Sequence, residues 1–151
     1  MVPLDGSKLA ECVLPHVEII VKASDSPEVI FIRAVEPIII PYGREMGEVD
    51  SLKRLEALEV HEKAEAEIYL KEIASKFKKA GINTRAEVVL GKGAEALTDF
   101  ANKNEIDLVI IATHGRSGVS RWVWGSTTDR LLRSIRVPIL VIRAPGSTTG
   151  I

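Results

Sequence analysis

The sequence predicts an α/β domain with a mostly parallel sheet covered by helices on both faces. Three observations predict it. Short apolar, β-branched runs of strand length recur along the chain, as expected for strands buried on both sides. Between them lie stretches whose apolar residues repeat every three or four positions, one stripe per helix. The resulting order, β-α-β-α-β-α-β-α-β, requires crossover connections, which are right-handed and place helices on the sheet faces.

Residues 2–4 read as the end of a short first strand. Leu9, Val13, Val17 and Ile20, at spacings of four, four and three, predict the first helix, and Pro15 inside that pattern should kink or interrupt it. Residues 29–35, VIFIRAV, introduced by Pro27, predict strand two. Residues 36–50, EPIIIPYGREMGEVD, show neither period; a connector of about fifteen residues is long for a small domain and is expected to be a binding loop, lid or partner surface, or a partly helical connector packed on the fold. Ala66, Leu70, Ile73 and Phe77 place a long helix across the Glu/Lys-rich run 53–79, whose charges form a solvated, paired face. Lys76, Lys78 and Lys79 suit its last turn and Gly81 its C-terminal cap. Residues 84–90, TRAEVVL, are strand three, and Ala94, Leu97 and Ala101 mark the next helix. Residues 107–112, DLVIIA, are strand four; Leu131, Leu132 and Ile135 mark the last helix and residues 137–142, VPILVI, the last strand. The domain is expected to span residues 1–143, followed by a flexible tail, residues 144–151, APGSTTGI.

With 151 residues, 46% hydrophobic and 27% charged, the chain is large enough for one domain with its own core. Its net charge of −1 argues against a general nucleic-acid binder, which needs a surplus of Lys and Arg. The charge is unevenly spread. Residues 113–136 hold five arginines against one acid, Asp129, giving +4 there and −5 over the remainder. Cys12 is the only cysteine, so no internal disulfide and no cysteine metal cluster is expected. No run approaches a membrane span, and a cytoplasmic setting is expected.

In open parallel sheets ligands sit beyond the carboxyl ends of the strands, where the strand order reverses. VPLDGS after strand one and ATHGRSGVSRWVWGSTTDRLL, residues 112–132, fall there. Gly115 and Gly118 let the backbone turn and approach a ligand without a Cβ in the way. Gly125 then opens a helix whose Ser126 and Asp129 have capping-box spacing. A helix N-terminus offers unpaired N–H groups and partial positive charge to a phosphate. Ser126, Thr127 and Thr128 can add hydroxyls, and Arg116 or Arg121 charge. Walker A, hydrolase-elbow and G-x-G-x-x-G dehydrogenase motifs are missing, as is any His–carboxylate group at metal-ligand spacing.

Together VPLDGS, THGRSG and GSTTDRLLRSIRVPILVI resemble the universal stress protein family, and the order and lengths of the elements match over essentially the whole chain. The resemblance implies a single Rossmann-like domain with a five-stranded parallel sheet of order 3-2-1-4-5, frequent dimerisation, and ATP binding in members that carry G-x-x-G, nine residues, then G-[S/T]. Here that pattern falls on Ala112, Thr113, His114 and Gly115, then residues 116–124, then Gly125 and Ser126. Ala112 stands where the first glycine is expected. Its methyl group hinders binding where the backbone needs a positive φ or direct contact with the ribose, and costs little in ordinary strand geometry. By resemblance, Asp5 and Val35 face the adenine, while Ala112, His114, Gly115, Arg116, Gly125, Ser126, Thr127 and Thr128 surround the ribose and phosphates. Mg²⁺ or Mn²⁺ would arrive with the triphosphate rather than on protein ligands.

The function implied is that of a cytoplasmic, homodimeric, ATP-binding stress-response protein acting through ligand-dependent interaction, with at most slow ATP hydrolysis. The alternative is a nucleotide-independent interaction module of the same fold; Ala112 favours it, and Gly115, the nine-residue gap, Gly125 and Ser126 oppose it. In the implied strand order the last strand, Val137 to Arg143, lies at an edge. Ile139, Leu140, Val141 and Ile142 make that edge apolar, so a homodimer through it is expected, with residues 36–50 as a surface for a protein partner. Plainer readings apply elsewhere. His16 and His61 are helix-surface residues, Cys12 a small packing residue, and Trp122 and Trp124 anchors for their loop. Apart from the resemblance, Asp5 reads as a turn residue bonding its own backbone.

Overall fold

The computed structural model describes residues 1–25, 27–38, 49–113 and 126–144. The chain runs β1 (Val2–Pro3), a 3₁₀ turn (Ala10–Val13), α1 (Leu14–Lys22), β2 (Glu28–Val35), α2 (Val49–Lys79), β3 (Asn83–Leu90), α3 (Gly93–Lys103), β4 (Val109–Thr113), α4 (Ser126–Ser134) and β5 (Ile139–Arg143). Pro15 does interrupt the first helical pattern: the 3₁₀ turn ends at Val13, and Pro15 falls at the start of α1, where its missing N–H costs nothing. Gly81, at φ +82°, caps α2. The Ile82 N–H donates to the Phe77 carbonyl at 3.1 Å and the Gly81 N–H to Lys78 at 3.0 Å, the two bonds of a Schellman ending.

Every strand pairing is parallel, but the five strands do not form the single five-stranded sheet predicted. They form a three-stranded sheet, β1-β2-β3, and a two-stranded one, β4-β5. The cause lies in β1. Alternate residues of a parallel strand face opposite neighbours, so Val2 and Leu4 serve β2, and the Leu4 N–H donates to Ile32 at 2.9 Å. Met1 and Pro3 are left to serve β4. The Met1 amine donates to Leu108 at 2.8 Å, and the Ile110 N–H donates to the Met1 carbonyl at 3.0 Å. Pro3 has no N–H with which to continue, so the ladder stops there. β1 and β4 therefore lie side by side without forming a regular ladder.

The sheets separate two cores. On one side Phe31, with no exposed surface, packs among Val13, Val17, Leu70, Ile73 and Phe77 of α1, α2 and the 3₁₀ turn, edge-on to the Phe77 ring at 5.0 Å. On the other, Ile32, Val109 and Ile111 meet Leu97 and Ala101 of α3 and Leu131 of α4. The predicted stripes are thus mostly the buried residues; Ile20 and Ile135 are partly buried against the cores, and Leu9 and Leu132 are exposed. Residues 53–79 are helical with a charged outer face, where Lys71 pairs with Glu67 at 3.2 Å and His61 with Glu65 at 3.3 Å. Residues 49 and 50, expected in the connector, already belong to α2; the Ile38 N–H reaches Glu59 at 3.4 Å, and residues 39–48 lie outside the described set.

The buried Met1 amine carries a testable consequence. Desolvation lowers its pKa to about 6, opposed in part by the charge of Asp107. Below its unfolded value near 8, the unfolded chain binds a proton that the folded chain resists. Stability should therefore fall as pH drops from about 8 to about 6 and level off below, by about 2–3 kcal/mol in all. Urea unfolding of the 151-residue chain at pH 5.5 and 8.5 checks it; equal stabilities would refute the burial of a free amine.

Candidate functional site

The C-terminal ends of β1, β2 and β4 and the start of α4 carry the residues singled out from sequence. Asp5 follows β1. Its Oδ1 accepts the Ser7 N–H at 2.8 Å, and Ser7 Oγ accepts the Ala10 N–H at 3.1 Å, which opens the 3₁₀ turn. The turn-forming role of Asp5 is therefore real, and the carboxylate stays solvent-exposed. Gly6 sits at φ +89°, and a Cβ there would lie 3.1 Å from Arg33 Nη1. Only glycine fits that position without strain.

Val35 closes β2 and is buried; its carbonyl accepts the Gly91 N–H at 3.0 Å. Ala112 lies inside β4, buried and paired with Ile142. It occupies ordinary strand geometry, where a methyl group costs little. Its carbonyl accepts the hydroxyl of Thr128 at 3.2 Å. Thr128 is 3% exposed and is the buried polar residue of the described core, so its single O–H is committed to tying α4 to the end of β4.

Ser126 is the first residue of α4. Asp129 lies in its first turn and accepts from Arg133 Nε at 3.1 Å, an i,i+4 pair on the exposed face. Thr127 Oγ1 is 3.9 Å from where a Gly93 Cβ would stand, which brings the starts of α3 and α4 together. At the start of α3 the Gly93 N–H reaches Glu36 at 3.5 Å. His114, Gly115, Arg116, Gly118, Arg121, Trp122, Trp124 and Gly125 lie outside the described residues. His16 and His61 are exposed, and Cys12 is partly buried against the core, where desolvation pushes its thiol up. Among the described residues no group of three or more His, Cys, Asp or Glu can hold a metal ion, and no helix is long and apolar enough to cross a membrane.

Several features escaped the sequence reading. Tyr69 on α2 donates to Glu11 Oε1 at 3.3 Å, and Lys8 reaches Glu11 Oε2 at 2.9 Å. Burial and the charges of Glu11 and Asp5 push the Tyr69 phenol well up, with Arg33 opposing. The signal for Arg33 was present: it is the one charged residue inside VIFIRAV, a run otherwise suited to burial.

Fold and site together define a doubly wound α/β domain in which strand ends meet a helix N-terminus at one edge. The chain belongs to the universal stress protein family, whose family model matches residues 1–143. A curated relative, universal stress protein MJ0531 of Methanocaldococcus jannaschii, is 25% identical over 96% of this chain and 81% of its own length. The solved structure of protein MJ0577 superposes with a TM-score of 0.78 at 23% identity, covering 97% of this chain and 95% of that one. A universal stress protein family member from Arabidopsis thaliana, solved with AMP bound, superposes at 0.64 with 12% identity, covering 97% and 91%.

Proposed function

We propose that this chain binds ATP across the C-terminal strand ends, with Mg²⁺ or Mn²⁺ carried by the triphosphate, and acts through ligand-dependent interaction in a stress response. The observation that carries the reading is the Thr128–Ala112 bond, which fixes the first turn of α4 at the end of β4, the position where helix N–H groups can receive phosphates. The strand geometry of Ala112 supports the reading, because a methyl group costs the backbone little there. The AMP held by a structural neighbour supports an adenine ligand. Asp5 and Val35 would meet the base; the Ser126 and Thr127 region, with His114, Gly115, Arg116 and Gly125, would meet ribose and phosphates; Thr128 positions the helix. We place no catalyst here, because phosphoryl transfer needs a positioned base or water-orienting group and charge clamps. Residues 1–143 form the domain of this proposal, residues 144–151 its tail, residues 36–50 a partner surface and β5 a homodimer edge, in a cytoplasmic protein.

The second reading, a nucleotide-independent interaction module, draws on the same bond, since a first turn of α4 anchored to Ala112 is held in place without a ligand. Mass spectrometry of small molecules released by denaturing freshly purified protein separates the two. An adenine nucleotide near one per chain is expected; its absence, together with no ATP binding on titration, would favour the interaction module.

A further inference from the structure

β3 is the outer strand of the three-stranded sheet, paired with β2 along all 8 of its residues and with no other strand among the described residues. Which of its backbone groups are left over follows from the ladder. The Gly91 N–H donates to the Val35 carbonyl, so the odd-numbered residues of β3 serve β2, and alternation turns the N–H and C=O of Thr84, Ala86 and Val88 outward. The parity of β2 agrees, since Ile32 serves β1 by accepting from Leu4. The side chains alternate as well. Ala86 and Val88 pack against the α1–α2 core, while Arg85 and Glu87, ion-paired at 3.3 Å, share the parity of Val89, which packs against the other core.

A groove runs along that unpaired edge. Its volume is about 310 Å³; Leu70, Ala86 and Val88 give it an apolar floor, and Lys63, Glu67 and Lys71, four residues apart on one stripe of α2, give it a polar wall. Its charges do not cancel. Glu67 is taken by Lys71 at 3.2 Å and Glu87, which also lines the groove, by Arg85. Lys63 is exposed and forms no hydrogen bond or ion pair among the described residues. We propose that the groove docks an extended segment of another protein, which adds as a strand beside β3 and places an apolar and an acidic side chain, two residues apart, against α2. The outward groups of Thr84, Ala86 and Val88 supply the main-chain bonds, and the period of a strand puts side chains i and i+2 on the same face, one over the apolar floor and one at Lys63. Charge selects the occupant: the Arg85–Glu87 pair makes β3 a poor template for an uncharged strand, and the free ammonium of Lys63 favours an acidic one. The inference stands independently of the ATP reading.

The probe is a synthetic peptide of 8 residues, the length of β3, alternating threonine with valine and glutamate; a second peptide carries lysine in place of glutamate. Each is titrated into the nitrogen-15-labelled 151-residue chain, with amide shifts locating the contact. The glutamate peptide should shift amides of β3 and of the Lys63–Lys71 stripe and bind about threefold tighter than the lysine peptide at low salt, with the difference fading as salt rises. Lys63→Glu should reverse that preference. Ala86→Pro removes one outward N–H and none from the ladder to β2, so it should weaken both peptides about fivefold, the scale of one net hydrogen bond. Urea unfolding checks that both variants fold, and Lys63→Glu, on an exposed side chain, carries the test by itself where the proline variant does not. Absence of shifts at β3 with millimolar peptide overturns the inference, as do shifts at β5 in their place or a preference that Lys63→Glu leaves unchanged. A parent dimer that Lys63→Glu dissociates in light scattering overturns it too, because the occupant is then a second copy of this chain.

Discussion

Gly125→Val is expected to weaken ATP binding by about two orders of magnitude, while Ser126→Ala costs about fivefold. Gly125 immediately precedes α4, whose first N–H groups are the proposed phosphate donors. A valine there puts a branched side chain into the space that a phosphate must enter to reach those groups. Ser126→Ala removes one hydroxyl and leaves the backbone donors in place, so its effect is that of one net hydrogen bond, about 1 kcal/mol. Thr128→Ala probes a different point, because its hydroxyl anchors α4 to Ala112 and its loss should appear in stability as well as in affinity. Titration with ATP checks all three. If Gly125→Val and Ser126→Ala both bind as the parent does, the start of α4 is not the phosphate site.

Leu140→Lys is expected to convert a dimer into a monomer at micromolar concentration. β5 pairs with β4 on one side and with no other strand among the described residues. The two outer strands differ in chemistry. β3 carries Arg85 and Glu87, paired at 3.3 Å, charges of the kind that discourage edge-to-edge pairing. β5 offers Ile139, Leu140, Val141 and Ile142, and Leu140 is 36% exposed. A second copy placed about a two-fold axis would cover both edges at once. Leu140 is the better probe because Ile142 packs against the α1–α2 core and Ile139 and Val141 against the other, so charges there would also disturb folding. Light scattering decides: a parent of one-chain mass, near 16.5 kDa, or a dimer indifferent to Leu140→Lys, would refute the interface.

Periodicity revealed most of the architecture because burial selects it directly. Ala66, Leu70, Ile73 and Phe77 face the core as their spacing requires, and the runs around Phe31 and Ile110 are the buried strands. The first four residues of α2, from Val49, escaped, since the run 36–50 shows no period that marks where the helix begins. The break between β1 and β4 turned on one missing N–H at Pro3, a detail that strand-length patterns do not register. At the site, the sequence pointed to Asp5, Ala112 and the hydroxyl cluster, but pairings across the chain decide what each does. Thr128 bonds Ala112 sixteen residues back, Asp129 turns to Arg133, and Arg33 meets Gly6 across the β1 turn. No local spacing encodes those meetings; they follow from which strands end side by side.

Calorimetric titration of the unmodified 151-residue chain with ATP and Mg²⁺ decides whether the strand ends and the start of α4 hold ATP. Heat should saturate with a micromolar dissociation constant, roughly −8 kcal/mol of binding free energy, with weaker binding of GTP under the same conditions. No heat at millimolar ATP, with protein shown to be free of bound nucleotide beforehand, would contradict it.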